Sequence, residues 1–374
     1  MEDREGGSMK FSRLQLAFVI ILFIGISNHV LILPHLLGLA KRDAWLSVLI
    51  AYGIMFVWIF LYKIILSKNQ AGEHTFLWMK KRVGTFLSYS IMSLFLLYFS
   101  VAGIVSFFDL IQSVHIFFLP FTPIWIVALP FILLCVWAAS SGIKTIIYTS
   151  TILLPIVWGL GMFVAIATLE EKDYSYLLPL FADKDASVIE GVIIVLGGSV
   201  DLLIFFIIHH YFEKKIPYWY LMLLLTVLTM LIMGPTIGSL TSFGPSMAAN
   251  MRFPAFEQWR LVSIGDLISH VDALAVFQLL SGVTIRVSLC LFLIPEIIHI
   301  QKKWWKVILI TLTALILYGI VSLQTSDILV FHIIKHYFYK VALCFGVVMT
   351  IILLFVSYLP SRKGEKEYDR GKSI

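Results

Sequence analysis

Charged residues are scarce in this chain. Only 13% of its 374 residues are Asp, Glu, Lys or Arg, whereas a soluble domain carries about 25%. This shortage excludes an ordinary soluble domain. The motifs of common catalytic centres are missing too, since the sequence has no GxSxG, no P-loop and no glycine-rich dinucleotide fingerprint. We therefore expect that the chain is not an enzyme and uses no cofactor.

Cysteine is also rare. Cys135, Cys290 and Cys344 each lie in an apolar stretch, which excludes a disulfide framework and a cysteine-based metal pattern. Histidine occurs beside other possible ligands only in short groups, such as Glu73–His74 and His209–His210. Neither group supplies a full ligand set. The sequence therefore predicts no metal site.

Apolar residues dominate what is present. They make up 60% of the chain, and runs of about 20 recur, each long enough to cross a bilayer as a helix. This pattern predicts an all-α integral membrane protein with ten transmembrane helices, numbered here spans 1 to 10. The predicted spans are 14–40, 43–66, 84–110, 121–141, 145–169, 188–212, 218–240, 272–298, 305–324 and 338–359.

Basic residues indicate the orientation. If both termini are cytoplasmic, the inner segments hold more than twice as many of the 28 lysines and arginines as the outer ones. The net charge of +6 therefore reflects topology, and no nucleic-acid partner is expected. We predict one integral membrane domain over residues 1–374, with cytoplasmic segments 1–11 and 360–374. The outer segment 241–271 is a packed cap or docking surface, or else an ordered loop over helix ends.

Two spans are interrupted at corresponding positions. Small and polar residues are costly in a plain spanning helix but are expected where the backbone unwinds around a solute. The matched positions predict two inverted five-helix repeats, with helices 1 and 6 unwound at mid-membrane. The alternative is close helix packing through small residues. The predicted substrate-binding residues are Gly25, Ile26, Ser27 and Asn28 in span 1, Tyr98 in span 3, and Gly197, Gly198 and Ser199 in span 6.

Two charged residues lie deep in predicted spans. Asp201 is near the middle of span 6 and Arg286 near the middle of span 8. A lone charge at that depth is expensive, so each needs a partner or water. Their similar depth allows an ion pair across the bundle, which would act as a gate or would simply fix the packing of the spans.

Several motifs resemble one known family. The opening Ser12-Arg-Leu-Gln-Leu16, followed by Gly25 and Pro34, is similar to the first span of the spore-germination permease-like proteins. Tyr176-Leu-Leu-Pro179 is similar to that family's Asn-Leu-Leu-Pro signature, although Tyr replaces Asn. The stretch 253–260, running on to Ser269-His-Val-Asp272, resembles the segment that leads into its eighth span. The resemblance covers nearly the whole chain.

The resemblance implies a fold of the amino acid–polyamine–organocation superfamily, which is LeuT-like. It also implies a B subunit of a nutrient germinant receptor, partnered by an A-type membrane subunit and a C-type lipoprotein in the spore inner membrane. The ligand would be a small-molecule germinant of the amino-acid class. The alternative is a secondary amino-acid transporter coupled to protons or sodium, and a third reading is a structural membrane partner without a pocket.

Overall fold

The computed structural model describes residues 10–69, 72–262, 271–323 and 326–361. Within these ranges the chain is helical, and its β-structure is limited to a single bridge between Phe11 and Phe212. In chain order the α-helices are Arg13–Ile26, Leu33–Ala40, Ala44–Lys68, Thr75–Val83, Thr85–Phe117, Ile124–Ser140, Ile143–Ala167, Val188–Ser199, Ile204–Ile208, Tyr218–Phe243, Pro245–Ala248, Pro254–Arg260, Asp272–Ile297, Lys303–Ser322, Asp327–Ile333 and Tyr339–Tyr358.

The helices overlap all ten predicted spans, although the bounds of several differ. Among the described residues, 9 helical stretches are long and apolar enough to cross a membrane, whereas ten were predicted. Span 4 corresponds to Ile124–Ser140, which has only 17 residues. At 1.5 Å per residue this helix is about 25 Å long, shorter than a hydrocarbon core of about 30 Å. The chain is thus an all-helical integral membrane protein with a short fourth helix.

The interruption in span 1 is a change of helix type. Ser27–Leu31 forms a π-helical turn between Arg13–Ile26 and Leu33–Ala40. In span 6, the α-helix Val188–Ser199 passes into a tight 3₁₀ turn at Val200–Leu203. The prediction that the backbone is unwound at these points is therefore wrong. Helical turns of either kind keep most amide groups hydrogen-bonded, which an apolar interior demands.

Spans 1, 6 and 8 form the centre of the bundle. Span 6 is the most buried, while spans 5 and 9 leave most of their apolar surface on the outside. Span 8 packs on span 3, span 9 on span 4 and span 7 on span 2, and span 6 packs on both span 10 and the second half of span 1. An apolar exterior around a buried centre is what a lipid environment favours.

Glycines let span 6 approach its neighbours closely. A Cβ atom at Gly197 would overlap the backbone carbonyl of Tyr339 in span 10, and one at Gly198 would overlap Ile32 in span 1. Across the same contact, Gly346 leaves room for Val200. Small residues at these crossings allow the backbones to meet, as is common between membrane helices.

We expect that Gly197→Ala destabilises the protein. The added methyl group meets a backbone carbonyl that cannot move away, and overpacking of this kind costs about 1–3 kcal/mol. Gly53→Ala is the matched control, because a Cβ there meets nothing within 4 Å and alanine favours the helix by about 1 kcal/mol. Thermal unfolding in detergent measures both variants, and equal midpoints would contradict the close approach.

Candidate ligand-binding site

A buried ion pair lies at the centre of the bundle. The Nη1 atom of Arg286 is 2.6 Å from the Oδ2 atom of Asp201, and the two side chains are only 3% and 2% exposed. Tyr98 in span 3 donates its hydroxyl to the other carboxylate oxygen at 2.8 Å. The structure thus brings together three of the residues singled out from the sequence, and the carboxylate has a partner on each oxygen.

Arg286 extends the connection to a third and a fourth span. Its Nε donates to the hydroxyl of Ser106 at 2.6 Å, and its Nη1 donates to the backbone carbonyl of Phe23 at 2.8 Å. The guanidinium also lies over the Phe23 ring, 4.7 Å from its centroid. Phe23 is four residues before the π-helical turn of span 1. Spans 1, 3, 6 and 8 therefore meet at one charge-assisted network.

A cavity of about 370 Å³ lies beside the π-helical turn. Pockets for small ligands usually measure about 300–1,000 Å³, so the cavity is large enough for a small molecule. It is bounded by spans 1, 5, 7 and 8 and by the outer helix Pro254–Arg260. Its polar lining residues are His29, Lys172, Thr226, Gln258 and Gln278.

The predicted binding residues divide into two groups. Gly25 and Ile26 line the cavity, whereas Gly197 and Gly198 pack against neighbouring helices. Ser199 donates its hydroxyl to the Val195 carbonyl of its own helix. The side chains of Ser27 and Asn28 lie outside the described part of the structure.

Span 8 supplies cavity residues that were not predicted from the sequence. Gln278 and Gly282 line the cavity, and they precede Arg286 by eight and four residues. Residues four apart lie on the same face of a helix. The position of Arg286 therefore identifies the face of span 8 that carries Gln278 and Gly282. Gly282 lies directly opposite span 1, where a Cβ would meet the Ile26 side chain at 3.1 Å.

The outer segment packs over this region. Gln258 donates its amide to the hydroxyl of Ser239 at 2.9 Å, and Phe256 stacks on Phe117 with 4.1 Å between ring centroids. Trp259 is buried and contributes to the cavity wall. The described part of this segment, up to residue 262, thus packs against the spans, while residues 263–270 lie outside the described ranges.

A second ionic network lies next to the helix Pro254–Arg260. Arg252 contacts Asp109 of span 3 at 2.6 Å and Asp327 of the helix Asp327–Ile333 at 3.1 Å. Burial alone lowers the pKa of Arg252, but the two carboxylates outweigh burial and raise it, so the guanidinium stays charged. Asp109 is only 4% exposed. Asp109 is therefore a buried partner of Arg252.

We expect strong energetic coupling between Asp201 and Arg286. Asp201→Asn leaves a buried guanidinium without its counter-charge, a loss of about 3–5 kcal/mol, and Arg286→Gln strands the carboxylate. In the double variant neither charge remains, so it should be more stable than the sum of the single losses predicts. A double-mutant cycle on unfolding in detergent should give a coupling of about 1–3 kcal/mol.

An exposed pair provides the control for that cycle. Lys340 and Glu190 are 2.8 Å apart, but their side chains are 41% and 33% exposed. Water screens such a pair, so its coupling should be below about 1 kcal/mol. Equal coupling energies for the two pairs would show that burial does not increase the coupling energy between Asp201 and Arg286.

Comparison with known proteins identifies the family. A family model described as "Spore germination protein" matches residues 10–327. The chain is also similar to "Spore germination protein XB" of Bacillus anthracis, with 35% identity over 342 residues that cover 91% of this chain and 96% of the relative. The match runs through spans 1 to 9 and includes both the central ion pair and the cavity lining. This integral membrane protein therefore belongs to the spore germination protein family.

Proposed function

We propose that this chain is the subunit of a nutrient germinant receptor that binds the germinant and starts spore germination. The observation that carries the proposal is the cavity beside the π-helical turn of span 1, covered on its outer side by the helix Pro254–Arg260. Membership of a germination family supplies the biological setting. The proposed location is the spore inner membrane, with both termini cytoplasmic.

The cavity lining favours a small ligand that is mostly apolar. Most of its walls are apolar side chains, and a few amide and imidazole groups are available for orientation. The Nδ1 atom of His29 is buried without a hydrogen-bond partner, and an unpaired buried polar atom is a ready contact for a ligand. A small neutral amino acid with an apolar side chain fits this combination.

The packing of the spans supports two inverted five-helix repeats. When five is added to each span number, the contact of spans 1 and 5 becomes that of 6 and 10, and the contact of 3 and 4 becomes that of 8 and 9. The contacts 1–6, 2–7, 3–8 and 4–9 map onto themselves. This symmetry is typical of transporter folds whose solute site lies between the repeats.

The cavity is adjacent to the central network, which gives a route for the signal. Ile26 and Gly282 meet at the cavity wall, one helical turn from Phe23 and Arg286, which are hydrogen-bonded to each other. A ligand that prefers one arrangement of spans 1 and 8 shifts the population towards that arrangement. The A-type membrane subunit and the C-type lipoprotein of the receptor are the proposed recipients of this change.

We expect that Gly234→Leu raises the nutrient concentration needed for half-maximal germination by about tenfold or more, because a loss of about 1.4 kcal/mol in binding already gives tenfold. Gly234 lines the cavity and a Cβ there meets nothing within 4 Å, so a leucine side chain has room to reduce the cavity volume. The measurement is germination of spores carrying the variant, against a panel of amino acids, with the protein amount checked by immunoblot.

Gly53→Leu is the matched control. It is also a mid-helix glycine with nothing within 4 Å, but it is not among the cavity residues. Wild-type sensitivity is expected for this control. If Gly234→Leu spores respond like the control at every nutrient concentration, the cavity is not the germinant site.

Uptake measurements separate the receptor from the transporter alternative. We expect that the purified chain in proteoliposomes binds a labelled germinant amino acid but does not concentrate it in the lumen, with or without a proton or sodium gradient. Concentrative uptake by this chain alone would establish the transporter alternative instead.

A further inference from the structure

Three residues that are distant in sequence converge at the inner end of the bundle. His74 precedes the short helix Thr75–Val83, His210 ends span 6, and Glu296 lies in the last turn of span 8. Their possible ligand atoms all lie within 4.8 Å of one another. The sequence showed His74 and His210 in separate short groups, and only the fold joins them to a carboxylate.

The distances suit a small divalent cation. Oε1 of Glu296 is 3.6 Å from Nε2 of His74 and 3.3 Å from Nε2 of His210. Ligand atoms that surround Zn²⁺ at about 2.0–2.1 Å in a tetrahedron lie roughly 3.3 Å apart. The third separation, between the two histidines, is at most 4.8 Å. Two histidines and one glutamate are a known zinc ligand set that leaves a position for water.

Each of the two histidines has one ring nitrogen without a hydrogen-bond partner. The side chains of His74 and His210 are each only 9% exposed, and Nε2 of His74 and Nδ1 of His210 are buried without hydrogen-bond partners. An unpartnered buried nitrogen facing a carboxylate is poorly explained by packing alone.

The carboxylate is held in place by groups outside the cluster. Tyr211 donates its hydroxyl to Oε1 of Glu296 at 2.8 Å, and the ammonium of Lys306 is 3.7 Å from Oε2. Partners of this kind orient metal ligands. We propose that His74, His210 and Glu296 form a binding site for a divalent first-row transition cation such as Zn²⁺, which joins the inner ends of spans 6 and 8 to the helix Thr75–Val83.

Binding of a cation would change the hydrogen bonding of His74. Its Nδ1 now accepts a hydrogen bond from the Phe76 amide at 3.2 Å, which caps the helix Thr75–Val83. Coordination through Nε2 moves the ring proton to Nδ1 and ends this cap. A bond of 3.2 Å is at the long end of the hydrogen-bond range, so coordination replaces a weak interaction with a strong one.

Co²⁺ binding to the purified full-length chain tests the proposal, because tetrahedral Co²⁺ absorbs visible light and Zn²⁺ displaces it. After treatment with a chelator, we expect saturable binding of one Co²⁺ per chain, a displaceable visible band and a rise in the thermal unfolding midpoint. His74→Asn removes the imidazole while retaining a good helix cap. It should weaken binding by at least about a hundredfold, since loss of a mere outer partner costs about 10–100-fold.

Further variants make the result decisive. His210→Gln and Glu296→Gln should abolish the band, and Tyr211→Phe should weaken binding by about 10–100-fold. His115→Ala, at the far end of span 3, should bind like wild type. The pair His332 and His336, whose rings are 4.4 Å apart, is removed in a separate control. Folded wild-type protein that binds no Co²⁺, or His74→Asn protein that binds it normally, would overturn the site.

Discussion

The buried ion pair between Asp201 and Arg286 is the interaction on which the rest of the structure depends. Neither charge can exist in an apolar interior without the other, so the spans that carry them are fixed at one depth and orientation. The remaining bonds of Arg286, to Ser106 and to the Phe23 carbonyl, extend this constraint to spans 3 and 1. The helices around the pair supply apolar packing, but packing in lipid has little directional preference.

The coarse architecture followed from composition because the bilayer restricts what can cross it. Apolar runs of bilayer length placed the helices, and the similar depth of Asp201 and Arg286 indicated the central pair. The prediction of unwound backbone in spans 1 and 6 failed. A helix can accommodate polar and glycine residues by changing its turn. The pattern at Gly25 and Gly197 therefore could not distinguish unwound backbone from a π-helical or 3₁₀ turn. The spacing from Arg286 identifies the helix face that carries Gly282, but not that this face borders a cavity. That cavity and the His74–His210–Glu296 group depend on which helix faces meet, and the spacing of residues along one chain does not specify it.

The side-chain groups that connect the helices differ between the two ends of the bundle. At one end, Arg252 bridges the carboxylates of Asp109 in span 3 and Asp327 in the helix Asp327–Ile333. At the other end, imidazole and carboxylate groups converge from three elements. The cavity and the second group share span 8, since Gln278 and Gly282 line the cavity and Glu296 lies in the last turn of the same helix.

The π-helical turn at Ser27–Leu31 determines which surface the outer half of span 1 presents. A π-helical turn is an α-helical turn with one additional residue, so moving it along the chain rotates the intervening residues by about 100° and shifts them by about 1.5 Å relative to their surroundings. Leu33–Ala40 runs through the short turn Lys41–Asp43 directly into span 2. A register change in span 1 would therefore rotate Leu33–Ala40 and displace the whole of span 2 with it.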